Sequence, residues 1–277
     1  MLGLRIANSG LQFVLDGRSG PIAAGKPMTE TSFAATGVSI GDFRVGAAIS
    51  RSRSVLRRHV LAFFVVGVIA SSPMLLLAYI QASEPADEEL LSSLLWLLFS
   101  LVALMVFTTI GQAVIIHAAF QDMRHAPVRL VESLNMVLRR FWPLLGLALA
   151  GLLSVVGLLF LIVPGLILST LWFVVLPACM VEQLGAWTSL RRSRELTRGH
   201  RWKVLGLTVL LMIATSSGSA VESWVAAATS PIVGTAGELI WSGIWTAFTA
   251  TTTLVIYHDL RMAKEGIDIE PIAVVFD

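Results

Sequence analysis

Residues 143–181 read PLLGLALAGLLSVVGLLFLIVPGLILSTLWFVVLPACMV, 39 positions without one charged side chain. A hydrocarbon core about 30 Å thick takes about 20 apolar residues of helix, each adding 1.5 Å. The stretch therefore reads as two membrane spans, residues 143–163 and 166–181, with Pro164-Gly165 making a tight turn between them. The second of these is short, which places its inner end in the head-group region. Four further stretches have the same character: 60–80, 90–116, 204–225 and 237–257. None of the six contains Lys or Arg. The stretch 90–116 exceeds the required length and must tilt or project into water.

The whole chain agrees with this reading. Hydrophobic residues make up 56% of its 277 positions and charged residues 14%, where a soluble domain averages about 25% charged. Mean hydropathy is +0.80. This composition argues against a water-soluble globular enzyme. It excludes a disordered chain, which needs low hydrophobicity and high charge. A single cysteine, Cys179, excludes a disulfide scaffold.

The basic residues fix an expected orientation. All 20 Lys and Arg fall in four segments: eight before the first span, four between the second and third, six between the fourth and fifth, and two after the sixth. The other connections carry none, and the first of those is acidic, with Glu84, Asp87, Glu88 and Glu89. Basic and non-basic segments alternate at every crossing. That is the positive-inside pattern, and it places both termini in the cytoplasm. The domain organisation expected is a disordered cytoplasmic tail over residues 1–40, a six-span membrane domain over 41–260 and a cytoplasmic C-terminal tail over 261–277. The first 40 residues are rich in Gly, Ser and Thr, show no helical period, and lack the apolar core of a secretory signal. Met28 opens Met-Thr-Glu-Thr-Ser-Phe, and residues 1–27 are read as lying ahead of the true start. Arg (17) greatly outnumbers Lys (3), which points to a GC-rich bacterium.

The basic segments resemble one another. Val55-Leu56-Arg57-Arg58-His59, Val137-Leu138-Arg139-Arg140-Phe141 and Leu196-Thr197-Arg198-Gly199-His200 each precede an odd-numbered span. Each caps about 15 residues of helical periodicity. Val45, Ala48, Ile49, Ser52 and Leu56 share one face. Leu130, Leu134, Val137, Leu138 and Phe141 share another, opposite Arg129, Glu132, Ser133 and Arg140. Ser39 with Asp42 has capping-box spacing for the first of these helices, and Pro127 suits the first turn of the second. The expected fold is all-α: six transmembrane helices with two or three amphipathic interfacial helices, arranged as a threefold repeat of helix plus hairpin.

Candidate site residues lie in two places. Arg191, Arg194, Arg198 and Arg201 recur at helical spacing and form one basic stripe beside Ala186, Leu190, Ser193 and Thr197. Guanidinium groups grip phosphate in a bidentate way, so the stripe reads as a site for anionic lipid head groups; it equally serves as a topology signal. Glu222 and Glu238 lie near the outer ends of spans five and six. Acidic residues there point to a cation or proton site, while Thr235 and Glu238 also have capping-box spacing. Ala214, Thr215, Gly218 and Ser219 on span five, and Gly243, Ala247 and Thr251 on span six, are small residues suited to close helix packing. Pro73 and Pro177 should bend their helices. The five histidines and Cys179 show no metal-ligand spacing, and no phosphate loop, nucleophile elbow or zinc-protease motif occurs. No cofactor is implied.

The run from Ile162 to Leu205 holds Ile-Val-Pro-Gly-Leu-Ile-Leu, Leu-Pro-Ala-Cys-Met-Val-Glu and Ser-Leu-Arg-Arg-Ser-Arg-Glu-Leu-Thr-Arg-Gly-His-Arg-Trp-Lys-Val-Leu. It resembles the membrane domain attached to some bacterial glycerophosphoryl diester phosphodiesterases, and the stand-alone inner-membrane YciC family. The tail Ile256-Tyr257-His258-Asp259-Leu260-Arg261, Lys264-Glu265-Gly266 and the entry from Ser39 to Leu61 share the likeness, which covers about residues 39–270. Arg194 departs from it, standing where the family pattern has an aromatic residue. The resemblance implies a polytopic inner-membrane protein with no catalytic residues to carry over, since the phosphodiesterase activity belongs to a separate soluble barrel of about 250 residues.

The functional expectation is a non-enzymatic protein of the bacterial inner membrane that engages anionic lipids at the cytoplasmic face, in a membrane-organising or accessory role. The alternative is a transporter or channel for a small solute or lipid. Membrane lipids are the expected partners and nucleic acid is not; a homo-oligomer is left open.

Overall fold

The computed structural model describes residues 45–83, 90–229 and 231–265. The N-terminal tail, the proposed start at Met28, the Ser39/Asp42 cap and the acidic connection at 84–89 lie outside the described residues. Among the described residues ten helices follow one another: α1 Val45–Arg58, α2 Val60–Ser83, α3 Leu90–Met123, α4 Leu130–Arg139, α5 Phe141–Phe160, α6 Ile162–Leu171, α7 Val175–Val181, α8 Ala186–Thr197, α9 Arg201–Ala228 and α10 Pro231–Glu265. A short helix (α1, α4, α8) precedes two long ones three times over, with α6 and α7 together making one long segment. Five segments among the described residues are long and apolar enough to cross a membrane: α3, α5, α6 with α7, α9 and α10. A sixth comes from α1 and α2, which are bent by 92° relative to one another. The bend falls at His59, where four arginines (Arg51, Arg53, Arg57, Arg58) give way to a run without charge. The protein is an all-α polytopic membrane protein.

Several local expectations are corrected. The chain turns between α5 and α6 at Leu161, not at Pro164-Gly165. Pro164 sits in the first turn of α6, where its missing N–H costs nothing. Gly165 answers a different need: a Cβ there would lie 2.2 Å from the Leu158 nitrogen, so α6 passes directly over the α5 backbone. Span four is broken at residues 172–174, because Pro177 has no N–H for the Phe173 carbonyl and its ring crowds that turn. Pro73 lies within the continuous helix α2. Pro127 precedes α4, whose N-cap is Arg129, rather than opening it. Helix α10 begins at Pro231 and runs on to Glu265. Thr235 and Glu238 are therefore inside it, not at its start, and the helix takes in the first residues of the expected C-terminal tail.

The core forms where α2, α3 and α10 meet over α1. Phe63, Ile115, Ile116, Leu254, Ile256 and Tyr257 are fully buried there. Lipid tails are as apolar as leucine, so no hydrophobic force brings such helices together, and close approach must do so. Glycine and alanine supply it. A Cβ on Gly67 would stand 2.6 Å from the Gly243 carbonyl oxygen across the α2–α10 crossing, and one on Gly111 would stand 2.2 Å from the Ala70 Cβ across α2–α3. Ala247 and Thr251 continue the small seam of α10, both fully buried, as the four-residue recurrence indicates. Hydroxyls in the seam satisfy themselves on their own helices: Thr251 donates to the Ala247 carbonyl at 2.9 Å and Ser71 to Gly67 at 3.0 Å. On α9 the expected small face behaves differently. Ser219 is exposed, whereas Gly218 makes a tight passage under the Trp241 ring.

In α1 the expected face is buried through Ala48 and Ser52. In α4 the sides are redistributed. Ser133, expected opposite the apolar face, is buried and meets His117 Nδ1 at 2.9 Å, whereas Leu134 and Leu138 are exposed. The expected apolar row is thus split: Val137 is buried beside Ser133 and Leu130 packs against the core, while Leu134 and Leu138 face outward.

Gly165→Ala should fail to give monodisperse protein or should lower the midpoint of thermal unfolding in detergent sharply. The added methyl meets backbone rather than a movable side chain, and overpacking costs about 1–3 kcal/mol or more. Gly151→Ala, with open space around its Cβ, should leave the midpoint unchanged or slightly raised.

Candidate functional site: the basic end of the bundle

The ends of α3, α7 and α10 and the starts of α2, α5 and α9 gather at one end with α1, α4 and α8. Polar contacts join them. Arg51 of α1 donates to Asp259 of α10 at 2.7 Å. Asp122 at the end of α3 meets His59 at 3.1 Å and Arg58 at 3.7 Å. Arg140, between α4 and α5, donates to the carbonyls of Cys179 (2.8 Å), Leu184 (3.1 Å) and Gln183. A cation placed on carbonyls at the close of α7 completes acceptors that the helix itself leaves open.

The four stripe arginines are all exposed at this end, but they do not share one helix. Arg191 and Arg194 lie on α8. That helix stops at Thr197; Arg198 is its extended C-cap, Gly199 takes φ +94°, and Arg201 opens α9. A left-handed φ suits glycine and few other residues, so Gly199 is the break that continuous helical spacing conceals. Arg191 pairs with Glu195 at 3.2 Å on the exposed surface, a contact worth little. Arg194, Arg198 and Arg201 make no ion pair among the described residues. Three tryptophans flank them: Trp142 at the start of α5, Trp187 on α8 and Trp202 on α9 are 78%, 83% and 85% exposed.

Arg192, adjacent to the stripe, does something the sequence reading missed. Its Nε lies 2.9 Å from both carboxylate oxygens of Glu182, and its Nη2 donates to Glu265 of α10. Tyr257 donates to Glu182 at 2.7 Å and Arg261 to Glu265 at 2.9 Å. Lys264 adds a contact to the Glu195 carbonyl. Burial alone would lower the Arg192 guanidinium, but its bonds to Glu265 and Glu182 outweigh it and hold the group above its ordinary value. A signal for this was present. Ser189, Arg192, Ser193 and Leu196 recur at spacings of three, four and seven from Ser189, and Ser189, Ser193 and Leu196 are buried. Arg192 thus belongs to the packed side of α8 and Arg191 to the open side.

Glu222 and Glu238 are at the opposite end. Glu222 is half-buried and lines a groove between α9 and α10. Glu238 is exposed and is not part of that lining. Among the described residues no group of three or more His, Cys, Asp or Glu side chains is placed to hold a metal ion.

Fold and site together define a multi-pass membrane protein with one strongly basic end. Residues 86–260 match the family model described as Domain of unknown function (DUF7847), and the chain belongs to that family. No curated protein and no solved structure matches the chain.

Arg192→Ala should destabilise the protein by about 2 kcal/mol or more, because the part-buried carboxylates of Glu182 and Glu265 both lose a charged partner. Arg191→Ala should cost under about 0.5 kcal/mol. Denaturant unfolding in detergent micelles measures both. Equal effects would remove the distinction between the two sides of α8.

Proposed function

We propose that this protein is a non-enzymatic component of a bacterial inner membrane whose cytoplasmic face binds anionic lipids and serves a membrane-organising or accessory role. The observation that carries the reading is the exposure of Arg191, Arg194, Arg198 and Arg201 among the exposed rings of Trp142, Trp187 and Trp202. Tryptophan concentrates at the head-group level of a bilayer. Each arginine held near an anionic surface is worth about 1 kcal/mol, so four contribute on the order of 4 kcal/mol. The likeness of residues 162–205 to the membrane domain of glycerophosphoryl diester phosphodiesterases and to the YciC family agrees with an inner-membrane location. The distribution of basic residues favours cytoplasmic termini.

Two measurements test this. Protein purified in native nanodiscs should carry an excess of one anionic lipid, and a variant with Arg191, Arg194 and Arg198 changed to Gln should lose most of it. Equal lipid content in the two preparations would reduce the arginines to a topology signal. Reporter fusions at residue 265 should be active only for a cytoplasmic reporter; a periplasmic signal would invert the orientation and with it the lipid leaflet addressed.

A further inference from the structure

At the basic end of the bundle a cleft of about 420 Å³ lies between α1, the close of α3 and α10. That is within the range of small-molecule sites, about 300–1,000 Å³. It shares no residue with the arginines of α8 and α9. Helical spacing assembles its walls. Arg51, Val55 and Arg58 stand on one side of α1, at spacings of four and seven; Val255, His258 and Met262 stand on one side of α10, at spacings of three and seven. Asp122, Met123 and His125 close it from the end of α3.

The charges here are sorted by sign. The Arg51 and Arg58 side chains are 59% and 60% exposed, whereas Asp259 and Asp122, which pair with them, are 10% and 14% exposed. The carboxylates hold the guanidiniums from beneath, and the open side presents cations. Asp122 also meets His59 at 3.1 Å, and Asp259 lies 3.9 Å from His258. Among the described residues Arg51 commits one N–H group to Asp259, and Arg58 stands 3.7 Å from Asp122, beyond hydrogen-bond length. A guanidinium carries five N–H donors, so both keep donors for a ligand. Ser54, exposed on α1, adds a hydroxyl.

His125 is an independent sign. It follows α3 with φ +55°. The Ala126 N–H donates to the Gln121 carbonyl and the His125 N–H to that of Asp122, which makes His125 the left-handed residue that closes a helix. Glycine ordinarily fills that position, and a side chain is disfavoured there. What histidine adds over glycine is an imidazole on the wall of the cleft.

Guanidinium forks with imidazole and hydroxyl donors suit the oxygens of phosphate. Two arginines match the double charge of a monoester better than the single charge of a diester. The cleft is larger than a phosphate group, and Met123 and Met262 give it apolar walls, so the phosphate is carried on an organic body. We propose that this cleft binds an organic phosphate monoester, its phosphoryl group met by Arg51, Arg58 and His125 and its body lying against Met123 and Met262. The cleft sits where α1 bends into α2, so the ester is reached from the bilayer as a lipid head group or from water as a solute. The proposal does not rest on lipid binding by the arginines of α8 and α9.

The test is calorimetric titration of the full chain in uncharged detergent micelles. Phenyl phosphate is the soluble monoester, dihexanoyl phosphatidate the lipid monoester, and dihexanoyl phosphatidylglycerol the singly charged diester. Saturable binding of a monoester is expected, with the diester at least about tenfold weaker, the effect of one charged hydrogen bond. Phosphatidate binding about tenfold tighter than phenyl phosphate would identify a lipid head group; equal or weaker binding would identify a soluble ester. Arg58→Gln should weaken binding on the order of tenfold. Arg53→Gln, on α1 but outside the cleft, should leave it within about twofold. His125→Gly should weaken binding severalfold while the midpoint of thermal unfolding holds or rises, because glycine suits the left-handed backbone. If Arg58→Gln does not elute as the parent does on gel filtration, His125→Gly decides, and unchanged affinity there overturns the proposal. So does the absence of saturable binding by either monoester, a diester that binds equally well, or an equal loss in Arg53→Gln and Arg58→Gln.

Discussion

Helices surrounded by hydrocarbon gain nothing by hiding leucine from lipid, and contact distance decides which of them associate. In this protein the constraint is met at a few positions. Gly67 and Gly243 let α2 and α10 cross with backbone against backbone; Gly111 and Ala70 do the same for α2 and α3; Gly165 lets α6 lie on α5. The bulky residues that a soluble protein would bury are turned outward, among them Leu94, Leu97, Leu98 and Phe99 of α3. The serine and threonine hydroxyls that accompany the small residues bond to carbonyls one turn earlier on their own helices, and so they cross the apolar layer without needing a neighbour.

At the basic end a second kind of fastening takes over. Water is at hand, charge is tolerated, and the helices are joined by directed ion pairs rather than by proximity. Glu182, Arg192, Glu265, Arg261 and Tyr257 form one connected set across α7, α8 and α10. Asp122 and Asp259 tie α1 and the start of α2 to α3 and α10. Arginine therefore plays two roles within a few residues. Turned inward it assembles the bundle, and turned outward it is free to meet an anion.

Much of this was legible in the residues. The absence of charge over 143–181 and the segregation of basic residues gave the spans, because hydrophobic length is a strong and nearly context-free signal. The small seam of α10 was legible from its four-residue recurrence. The turn between α5 and α6 was not: Pro-Gly is a common turn pair, but here the proline fits a first helical turn and the glycine serves a crossing. Glu222 and Glu238, paired from sequence position, lie near enough to interact electrostatically, but differ in exposure, Glu222 half-buried and Glu238 exposed. The division between Arg191 and Arg192 rested on which side of α8 packs against its neighbours. A sequence of small, polar and basic residues leaves that side ambiguous until its partner in α10, 73 residues away, is in place.

Helix α10 has 35 residues, which makes it about 52 Å long at 1.5 Å per residue. The hydrocarbon layer is about 30 Å thick. Roughly 20 Å of stiff rod therefore lies beyond that layer, and Arg192 and Lys264 bolt α8 to its tip. Such a rod is a lever with its fulcrum at the Gly67–Gly243 crossing. From Gly243 to Glu265 the arm is about 33 Å, so a change of about 10° in tilt would carry that end through about 6 Å, and α8, with Trp187 and Arg191, would travel with the end to which it is fixed.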